Sequence, residues 1–318
     1  MATPLLRIGT RGSPLALIQA EAVRHRLVAA HPELSAAGAI DVVTIRTTGD
    51  LVRDRTLAAI GGKGLFTKEI EAALLSNQID LAVHSLKDMA TELPEGLAIV
   101  CHLPRADARD AFVSAHAKRL LDLPRGAVVG SSALRRQAQV LRARPDLRVV
   151  ALRGNVETRL GKVADGKVDA TLLAVAGLAR LGLESRITEI LSTQLMLPAP
   201  AQGTIAVEAR AGDDRVLHYL EPLDDAATAA RSTAERALLA ALDGSCRTPI
   251  AALAEIDERG GLTLQARIIR PDGTQCHEAR LTGAVSDAAR IGREVGERLR
   301  AEAGPGFFDL PIPEGTPV

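Results

Sequence analysis

The sequence predicts an α/β protein with a mostly parallel sheet, followed by a smaller α+β unit. Apolar runs rich in β-branched residues alternate with helical patterns through the first two-thirds of the 318 residues. Several of these runs are continuous rather than alternating in polarity, which is typical of strands covered on both faces. After an acidic stretch at 213–225, the order changes to helix, two strands and helix. The length, about twice that of a usual single domain, agrees with several domains.

The elements follow from composition, periodicity and end signals. Seven segments have the composition of strands: Ile40–Thr47, Asp80–Leu86, Leu97–Leu103, Ala127–Ser131, Arg148–Arg153, Thr171–Ala176 and Thr204–Glu208. Four have helical periodicity: Pro14–Ala30, Leu65–Ser76, Leu134–Ala143 and Val156–Asp165. Ser13 is a preferred N-cap and Pro14 a preferred first residue for the first helix. The C-terminal unit is predicted to contain helices Ala226–Leu242 and Asp287–Ala301, strands Ile250–Ile256 and Leu262–Ile269, and an irregular tail from Gly304.

Composition excludes several classes of function. Lys and Arg number 39, as do Asp and Glu, so the net charge is zero, and there are five aromatic residues with no Trp. Both facts argue against nucleic-acid binding. The apolar runs are too short to span a membrane, and the N-terminus lacks the features of a signal peptide. Three scattered cysteines (Cys101, Cys246 and Cys276) and the spacing of the histidines predict neither a disulfide framework nor a metal site. We therefore expect a cytoplasmic protein.

Three segments share a design that favours ligand binding. In Val83–Asp88, Val129–Arg136 and Leu152–Arg159, an apolar strand continues into a short polar loop that is predicted to open a helix. Open α/β sheets bind ligands at the carboxyl ends of their strands. Free N–H groups and the helix dipole favour anions there.

The positive charge of the chain is unevenly distributed. The sequence has 33 Arg and six Lys, and residues 125–159 contain eight Arg against two acidic residues. The planar guanidinium group binds carboxylates and phosphates through two parallel hydrogen bonds. A solvated helix face explains Arg142 and Arg144 adequately. Anion binding is favoured for the four that stand beside Gly, Ser or Asn at predicted strand ends: Arg135, Arg136, Arg153 and Arg159.

The glycine-rich segment Gly61–Phe66 does not match a phosphate-binding P-loop. Gly64 occupies the position where a P-loop needs Ser or Thr, and the first glycine of that motif is missing. Since no G-x-G-x-x-G motif follows a strand, a dinucleotide site is not predicted either. A mobile glycine-rich loop is the favoured interpretation.

Two residues have a chemical and a structural interpretation each. Asp88, next to Lys87, could stabilise a cation or transfer a proton, but composition alone favours a helix N-cap. Cys246, on a Gly-containing loop beside Arg247, could be a nucleophile, whereas lone cysteines more often pack in a core.

Nine segments in a single order resemble the porphobilinogen deaminase (hydroxymethylbilane synthase) family over nearly the whole chain. They are Arg7–Leu17, Gly61–Glu71, Asp80–Asp88, Arg109–Ser114, Val129–Gln137, Leu152–Leu160, Ala174–Leu181, Ala201–Arg210 and Leu242–Pro249. The resemblance implies an α/β fold of three domains, with two lobes like those of type II periplasmic binding proteins and a small C-terminal α+β domain. The expected bounds are 1–103 with 200–222, then 104–199, then 223–318. The resemblance also favours a monomer.

The resemblance implies a transferase of heme and porphyrin biosynthesis. Four porphobilinogen molecules are joined head to tail into the linear tetrapyrrole hydroxymethylbilane. Each loses ammonia to give an azafulvene-type electrophile, which the free α-carbon of the growing chain attacks before a ring proton is lost. The primer is a dipyrromethane cofactor, attached covalently to Cys246 through a thioether. Hand-off of the product to the next enzyme of the tetrapyrrole pathway is a further expectation, and no nucleic-acid or membrane partner is expected.

The resemblance also assigns roles to residues. It implies that Asp88 is the catalytic residue, which reverses the preference for a helix cap. Cofactor contacts are implied for Cys246, Ser85, Lys87, Asp88, Ser131, Arg135 and Arg136. Substrate contacts are implied for Arg11, Ser13, Lys63, Phe66, Arg153 and Arg159. The sequence departs from the usual family pattern at Ala90, Ala133, Ala201 and Ser245.

Two other functions compete with this one. A non-catalytic, two-lobed carboxylate-binding protein would share the lobes and the arginine loops but would need neither Cys246 nor Asp88. A phosphate-handling transferase lacks support because the P-loop and metal ligands are missing from the sequence.

Overall fold

The computed structural model describes residues 4–51, 66–244 and 248–308. These form two compact units, the first made of 4–51, 66–106 and 204–229, the second of 107–203 and 230–308. The strands are β1 Leu6–Arg11, β2 Ile40–Ile45, β3 Leu81–Ser85, β4 Leu97–His102, β5 Asp110–Ser114, β6 Val128–Gly130, β7 Arg148–Val150, β8 Ala170–Ala174, β9 Glu189–Ile190, β10 Ile205–Arg210, β11 Ile250–Ile256, β12 Gly261–Ile269 and β13 Cys276–Ala284. The helices are α1 Pro14–Ala30, α2 Thr48–Leu51, α3 Lys68–Leu75, α4 Leu134–Ala143, α5 Val156–Ala164, α6 Val175–Arg180, α7 Asp214–Leu220, α8 Ala226–Ala241 and α9 Ala288–Ala303.

The first unit contains a five-stranded sheet of order β2-β1-β3-β10-β4. The strands are parallel except β10, which is antiparallel to both of its neighbours. Helix α1 covers one face, where Leu6 and Ile8 pack with Val23 and Leu27, and α3 covers the other. Burial of this apolar surface on both faces explains the continuous apolar runs.

The second unit contains a sheet of equivalent order, β7-β6-β8-β5-β9, in which β5 is the antiparallel strand. Phe112 on β5 is fully buried at the centre of its core, among side chains such as Leu172 and Met196. Each sheet therefore has three parallel strands, then one antiparallel strand, then an edge strand.

The second unit also contains the small antiparallel sheet β11-β12-β13. Helices α8 and α9 pack on it through residues such as Leu238 and Val295. The two helices approach closely at Gly292, where a Cβ atom would lie 2.2 Å from the carbonyl oxygen of Ala234. Only glycine allows this helix–helix distance.

The predicted fold class is confirmed: two mostly parallel α/β sheets precede a small α+β body. Helices α1 and α4 and strand β11 have the predicted bounds, and most of the other predicted elements differ by one to three residues at an end. The predicted strands were incomplete, because β1, β5, β9 and β13 were not among them. The division into three domains stays a prediction. In the described ranges, no helix has the length and apolarity needed to cross a membrane.

Candidate active site

A pocket lies in the first unit at the carboxyl ends of the neighbouring parallel strands β1 and β3. This is the edge where open α/β sheets bind ligands. Its lining includes the aromatic residue Phe66 and the polar residues Arg11, Ser13, Gln19, Thr67, His84, Ser85 and Asp88. Four of the predicted site residues, Arg11, Ser13, Ser85 and Asp88, are thus brought together with a fifth, Phe66.

Asp88 is the exposed carboxylate of this pocket. It is the last residue of a single 3₁₀ turn, 86–88, that follows β3 and is not succeeded by a helix. The N-cap interpretation of Asp88 is therefore wrong. Among the described residues, none hydrogen-bonds with its carboxylate, which leaves both oxygens to solvent or a ligand.

Arg11 extends from the end of β1 toward Phe66. The guanidinium carbon lies 4.1 Å from the centre of the Phe66 ring, a cation–π contact. The ring restricts the conformations of the guanidinium group. Ser13, two residues further along, caps α1, because its Oγ accepts a hydrogen bond of 3.3 Å from the amide of Ala16.

Ser85 is the last residue of β3, and Lys87 lies in the 3₁₀ turn that follows it. The amide nitrogen Nε2 of Gln19 donates to Ser85 Oγ at 2.9 Å, and Gln19 is almost fully buried. Gln19 was not predicted as a site residue, since a single Gln within a helix carries no sequence signal. Lys87 is partly exposed and makes further contacts of its own.

In the second unit, Ser131 follows β6 and precedes α4. Its buried Oγ accepts a hydrogen bond of 3.2 Å from the amide of Ala133. Ala133 is the N-cap residue of α4 and provides no side-chain cap. Ser131 thus stabilises the loop between β6 and α4. Arg135 and Arg136 lie in the first turn of α4.

Arg135 and Arg136 are both buried and both paired with Asp110, the first residue of β5. Arg135 Nη1 donates to Asp110 Oδ2 at 2.7 Å, while Arg136 donates to Oδ1 through Nη2 at 2.6 Å and Nε at 3.0 Å. Gln202 Nε2 adds a hydrogen bond of 3.1 Å. Burial would raise the pKa of Asp110, but the two guanidinium groups outweigh it and hold that pKa well below its usual range. Each guanidinium retains N–H groups beyond these bonds.

Arg153 and Arg159 flank the N-terminus of α5. Asn155 caps this helix, since its Oδ1 accepts the amide hydrogen of Thr158 at 2.8 Å. Arg159 Nε donates to the carbonyl of Gly154 at 2.9 Å. Gly154 has a φ of +116°, which side-chain-bearing residues rarely adopt. Both arginines are partly exposed at this turn.

Arg180, at the end of α6, is a candidate that the prediction missed. Its Nη2 donates to the carbonyl of Gly203 at 2.6 Å, and among the described residues no carboxylate pairs with it. Burial lowers its pKa to about 10. A desolvated cation without an anionic partner is suited to binding a carboxylate. The segment Ala174–Leu181 belongs to the family resemblance, which is the signal that could have identified Arg180.

The two cysteines in the described residues are not candidate nucleophiles. Cys101 is fully buried in the core, and burial raises its pKa to about 12. Burial also raises the pKa of Cys276. Two predicted site residues, Cys246 and Lys63, lie outside the described residues. No cluster of three or more metal-binding side chains occurs in the ranges described.

The fold and these side chains define an α/β protein whose strand ends present arginines, serines and one exposed aspartate. The sequence profile described as porphobilinogen deaminase, dipyromethane cofactor binding domain, matches residues 6–218, and that of the porphobilinogen deaminase C-terminal domain matches residues 229–301. The chain belongs to the porphobilinogen deaminase family.

Two relatives named porphobilinogen deaminase agree with this assignment. The chain is 55% identical to the porphobilinogen deaminase of Paracoccus denitrificans (strain Pd 1222) over 304 residues, which are 96% of each protein. It is 52% identical over 307 residues to the chloroplastic porphobilinogen deaminase of Oryza sativa subsp. japonica, covering 96% of this chain and 86% of the relative. Among solved structures, a periplasmic substrate-binding protein of an ABC transporter from Coxiella burnetii is 15% identical, with a TM-score of 0.43 over 69% of this chain and 91% of that chain.

Proposed function

We propose that Asp88 is the catalytic residue with which this chain carries out the reaction of its family. The chain is a transferase that joins four porphobilinogen molecules into hydroxymethylbilane. The exposed carboxylate of Asp88, beside Arg11 at the ends of β1 and β3, is the observation that carries the proposal. The alternative of a non-catalytic carboxylate-binding protein is not favoured, since the profile of a cofactor-binding domain matches two-thirds of the chain.

Asp88 is suited to the charge that develops during the reaction. When porphobilinogen loses ammonia, the pyrrole ring becomes an electron-poor electrophile that carries a positive charge. A fixed carboxylate stabilises that cation and accepts a hydrogen bond from the pyrrole N–H. Because no described residue hydrogen-bonds with Asp88, its oxygens require no rearrangement before they bind the substrate.

The cations of the site are suited to the carboxylates of the substrate. Every pyrrole unit carries an acetate and a propionate. We assign substrate binding to Arg11 with Phe66 and Ser13, and to Arg153, Arg159 and the additional Arg180. Lys63 is proposed for the same role from the sequence alone.

The residues present fit the dipyrromethane cofactor of the family. Cys246 is proposed to attach it, and when bound the cofactor supplies the carbon nucleophile on which the chain grows. Ser85, Lys87, Ser131, Arg135 and Arg136 are proposed to hold its carboxylates. The N–H groups of Arg135 and Arg136 that are used neither by Asp110 nor by the carbonyl of Leu197 are donors for this purpose. Asp110 keeps the two buried guanidinium groups oriented.

The proposal also covers the location, the oligomeric state and the product transfer of the protein. We place it in the cytoplasm, as a monomer that passes hydroxymethylbilane to the next enzyme of the tetrapyrrole pathway. The similarity to a bacterial relative supports the location, whereas the rice relative is chloroplastic. Size-exclusion chromatography with light scattering tests the monomer, and a dimer mass would contradict it.

Asp88→Asn tests the catalytic assignment. We expect kcat to fall by about 10²–10³-fold with little change in KM, because the substitution removes charge stabilisation of the transition state. Asp41→Asn is the matched control and should keep wild-type turnover. Asp41 is exposed and lies opposite Arg7 near the amino end of β2, away from the carboxyl ends of the strands where the pocket lies. Retention of wild-type turnover by Asp88→Asn would refute the role of Asp88.

A further inference from the structure

A buried pair of titratable side chains, His84 and Glu208, lies next to the pocket in the first unit. His84 Nε2 is 3.0 Å from Glu208 Oε2, and the side chains are 4% and 0% exposed. His84 also lines the pocket, four residues before Asp88. Neither His84 nor Glu208 has a role in the substrate or cofactor contacts assigned above.

The sheet geometry explains why these residues meet. Strands β3 and β10 are antiparallel, with Glu208 opposite Ala82 and Ala206 opposite His84. Side chains two residues apart on a strand share a face, so His84 and Glu208 are diagonal neighbours on the face covered by α3. The small Ala82 leaves room between them. Ser85, the next residue, points to the opposite face, where it meets Gln19 on α1.

The surroundings of Glu208 are unusual for a carboxylate. Its Oε1 is buried and has no hydrogen-bond partner among the described residues. A wholly buried carboxylate with one unsatisfied oxygen costs folding free energy, so packing alone does not account for it. Its other oxygen, Oε2, is hydrogen-bonded to the imidazole of His84.

A third titratable group completes the cluster. Glu71 on α3 is buried, and burial raises its pKa. The charge of Glu208 adds to that rise, whereas His84 opposes it. Glu71 therefore interacts electrostatically with both members of the pair.

We propose that His84, oriented by Glu208, is the residue that accepts the proton lost from the ring in each addition. In this proposal Nε2 donates to Glu208 Oε2, and the lone pair of Nδ1 accepts the proton. An imidazole held by a carboxylate at one nitrogen and available at the other is the arrangement of a general base. This inference rests on the proposed function.

The step balances without a further reactant. Ammonia leaves porphobilinogen with the electron pair of the broken C–N bond, and the α-carbon of the chain forms the new C–C bond. The C–H bond at that α-carbon then breaks, and its electron pair restores the aromatic ring while the proton passes to Nδ1. His84 returns the proton to the released ammonia, which departs as ammonium. Asp88 stabilises the cation, so the two residues have separate tasks.

A kinetic isotope effect tests the assignment. Porphobilinogen deuterated at its free α-carbon is compared with the unlabelled substrate, since additions after the first break that bond. For His84→Gln we expect kcat to fall by about 10²–10³-fold. The ratio of kcat values for the two substrates should rise from near unity to above about 2, because proton removal becomes rate-limiting. A purely structural role for His84 would lower kcat without changing this ratio.

Control variants separate the possible outcomes. His102→Gln changes a histidine on β4 that lies 3.4 Å from a different carboxylate, Asp224, and should behave as wild type. Glu208→Gln preserves volume and one hydrogen bond; it should raise the isotope ratio and lower kcat less than His84→Gln does. If His84→Gln does not fold, as judged by circular dichroism, the isotope ratio of Glu208→Gln tests the role of His84 instead. An unchanged isotope ratio in an active preparation would overturn the role of His84, whereas an inactive wild-type protein would count against the proposed function instead.

Discussion

Replacing Asp110 by Asn should destabilise the second unit strongly. Asp110 accepts three hydrogen bonds of 2.6–3.0 Å from Arg135 and Arg136 and one of 3.1 Å from Gln202, and its side chain is fully buried. Asparagine keeps the shape but removes the charge, and it turns an N–H₂ group toward the arginine donors. Breaking a buried ion pair by removing one partner costs about 3–5 kcal/mol.

The effect of Asp110→Asn should depend on pH with a defined sign. The pKa of Asp110 is lowered in the folded protein, so its contribution to stability is complete above the unfolded-state pKa of about 4. It is lost as the pH falls from there toward the folded-state pKa. The difference between wild type and variant should therefore be constant from pH 6 to 8 and shrink below about pH 4.

Urea unfolding followed by far-ultraviolet circular dichroism measures this difference, since the chain has no Trp. We expect Asp110→Asn to lower the urea midpoint by more than about 1 M at pH 7. Asp122→Asn is the matched control, because Arg119 donates to Asp122 at 2.8 and 2.9 Å but the pair is exposed. It should leave the midpoint unchanged. Equal midpoints for the two variants, or a difference that grows as the pH falls, would refute the reasoning.

Three further substitutions test individual features of the second unit. Ala133→Ser should raise the free energy of unfolding by about 1 kcal/mol, measured in urea, because the N-cap position of α4 lacks a side-chain cap. Gly154→Ala should destabilise by about 2 kcal/mol, since its φ is +116° and the new Cβ would lie 2.7 Å from the Cβ of Thr158; a loss under about 0.5 kcal/mol would contradict this. Arg180→Gln should raise KM for porphobilinogen at least about tenfold without lowering the urea midpoint, because the partly buried cation has no carboxylate partner in the described residues; an unchanged KM would exclude Arg180 from substrate binding.

The sequence predicts some elements well because their ends carry strong local signals. Helix α1 begins where Ser13 caps it and Pro14 opens it. Helix α4 ends before Pro145, and a residue preceding proline disfavours the helical conformation.

Other elements lack such signals. Strand β5 begins with the buried Asp110, and a charged residue within five positions obscures the apolar pattern. Strand β13 is an edge strand and largely exposed, so its composition is not apolar. In β1, Gly9 lowers the strand propensity, but a Cβ there would lie 2.2 Å from the side chain of Ile79. Helix α7 lies in the acidic stretch expected to separate domains, where Asp213 serves as its N-cap.

The residues of the candidate site also differ in whether the sequence predicts them. Local motifs and the family resemblance identify Arg11, Phe66 and Asp88, and the structure brings these together. The pairing of His84 with Glu208 joins residues 124 positions apart, and it depends on the antiparallel register of β3 and β10. Such a pairing depends on tertiary structure, and periodicity or composition does not predict it.

Intact-mass spectrometry tests the central claim, which is that this chain extends a covalently bound pyrrole primer. Protein purified from a heme-competent host should exceed the mass of its sequence by about two pyrrole units, and brief incubation with porphobilinogen should add increments of one ring. A Cys246→Ser variant should show neither change and should be inactive. Full activity at the mass of the unmodified chain would contradict the account.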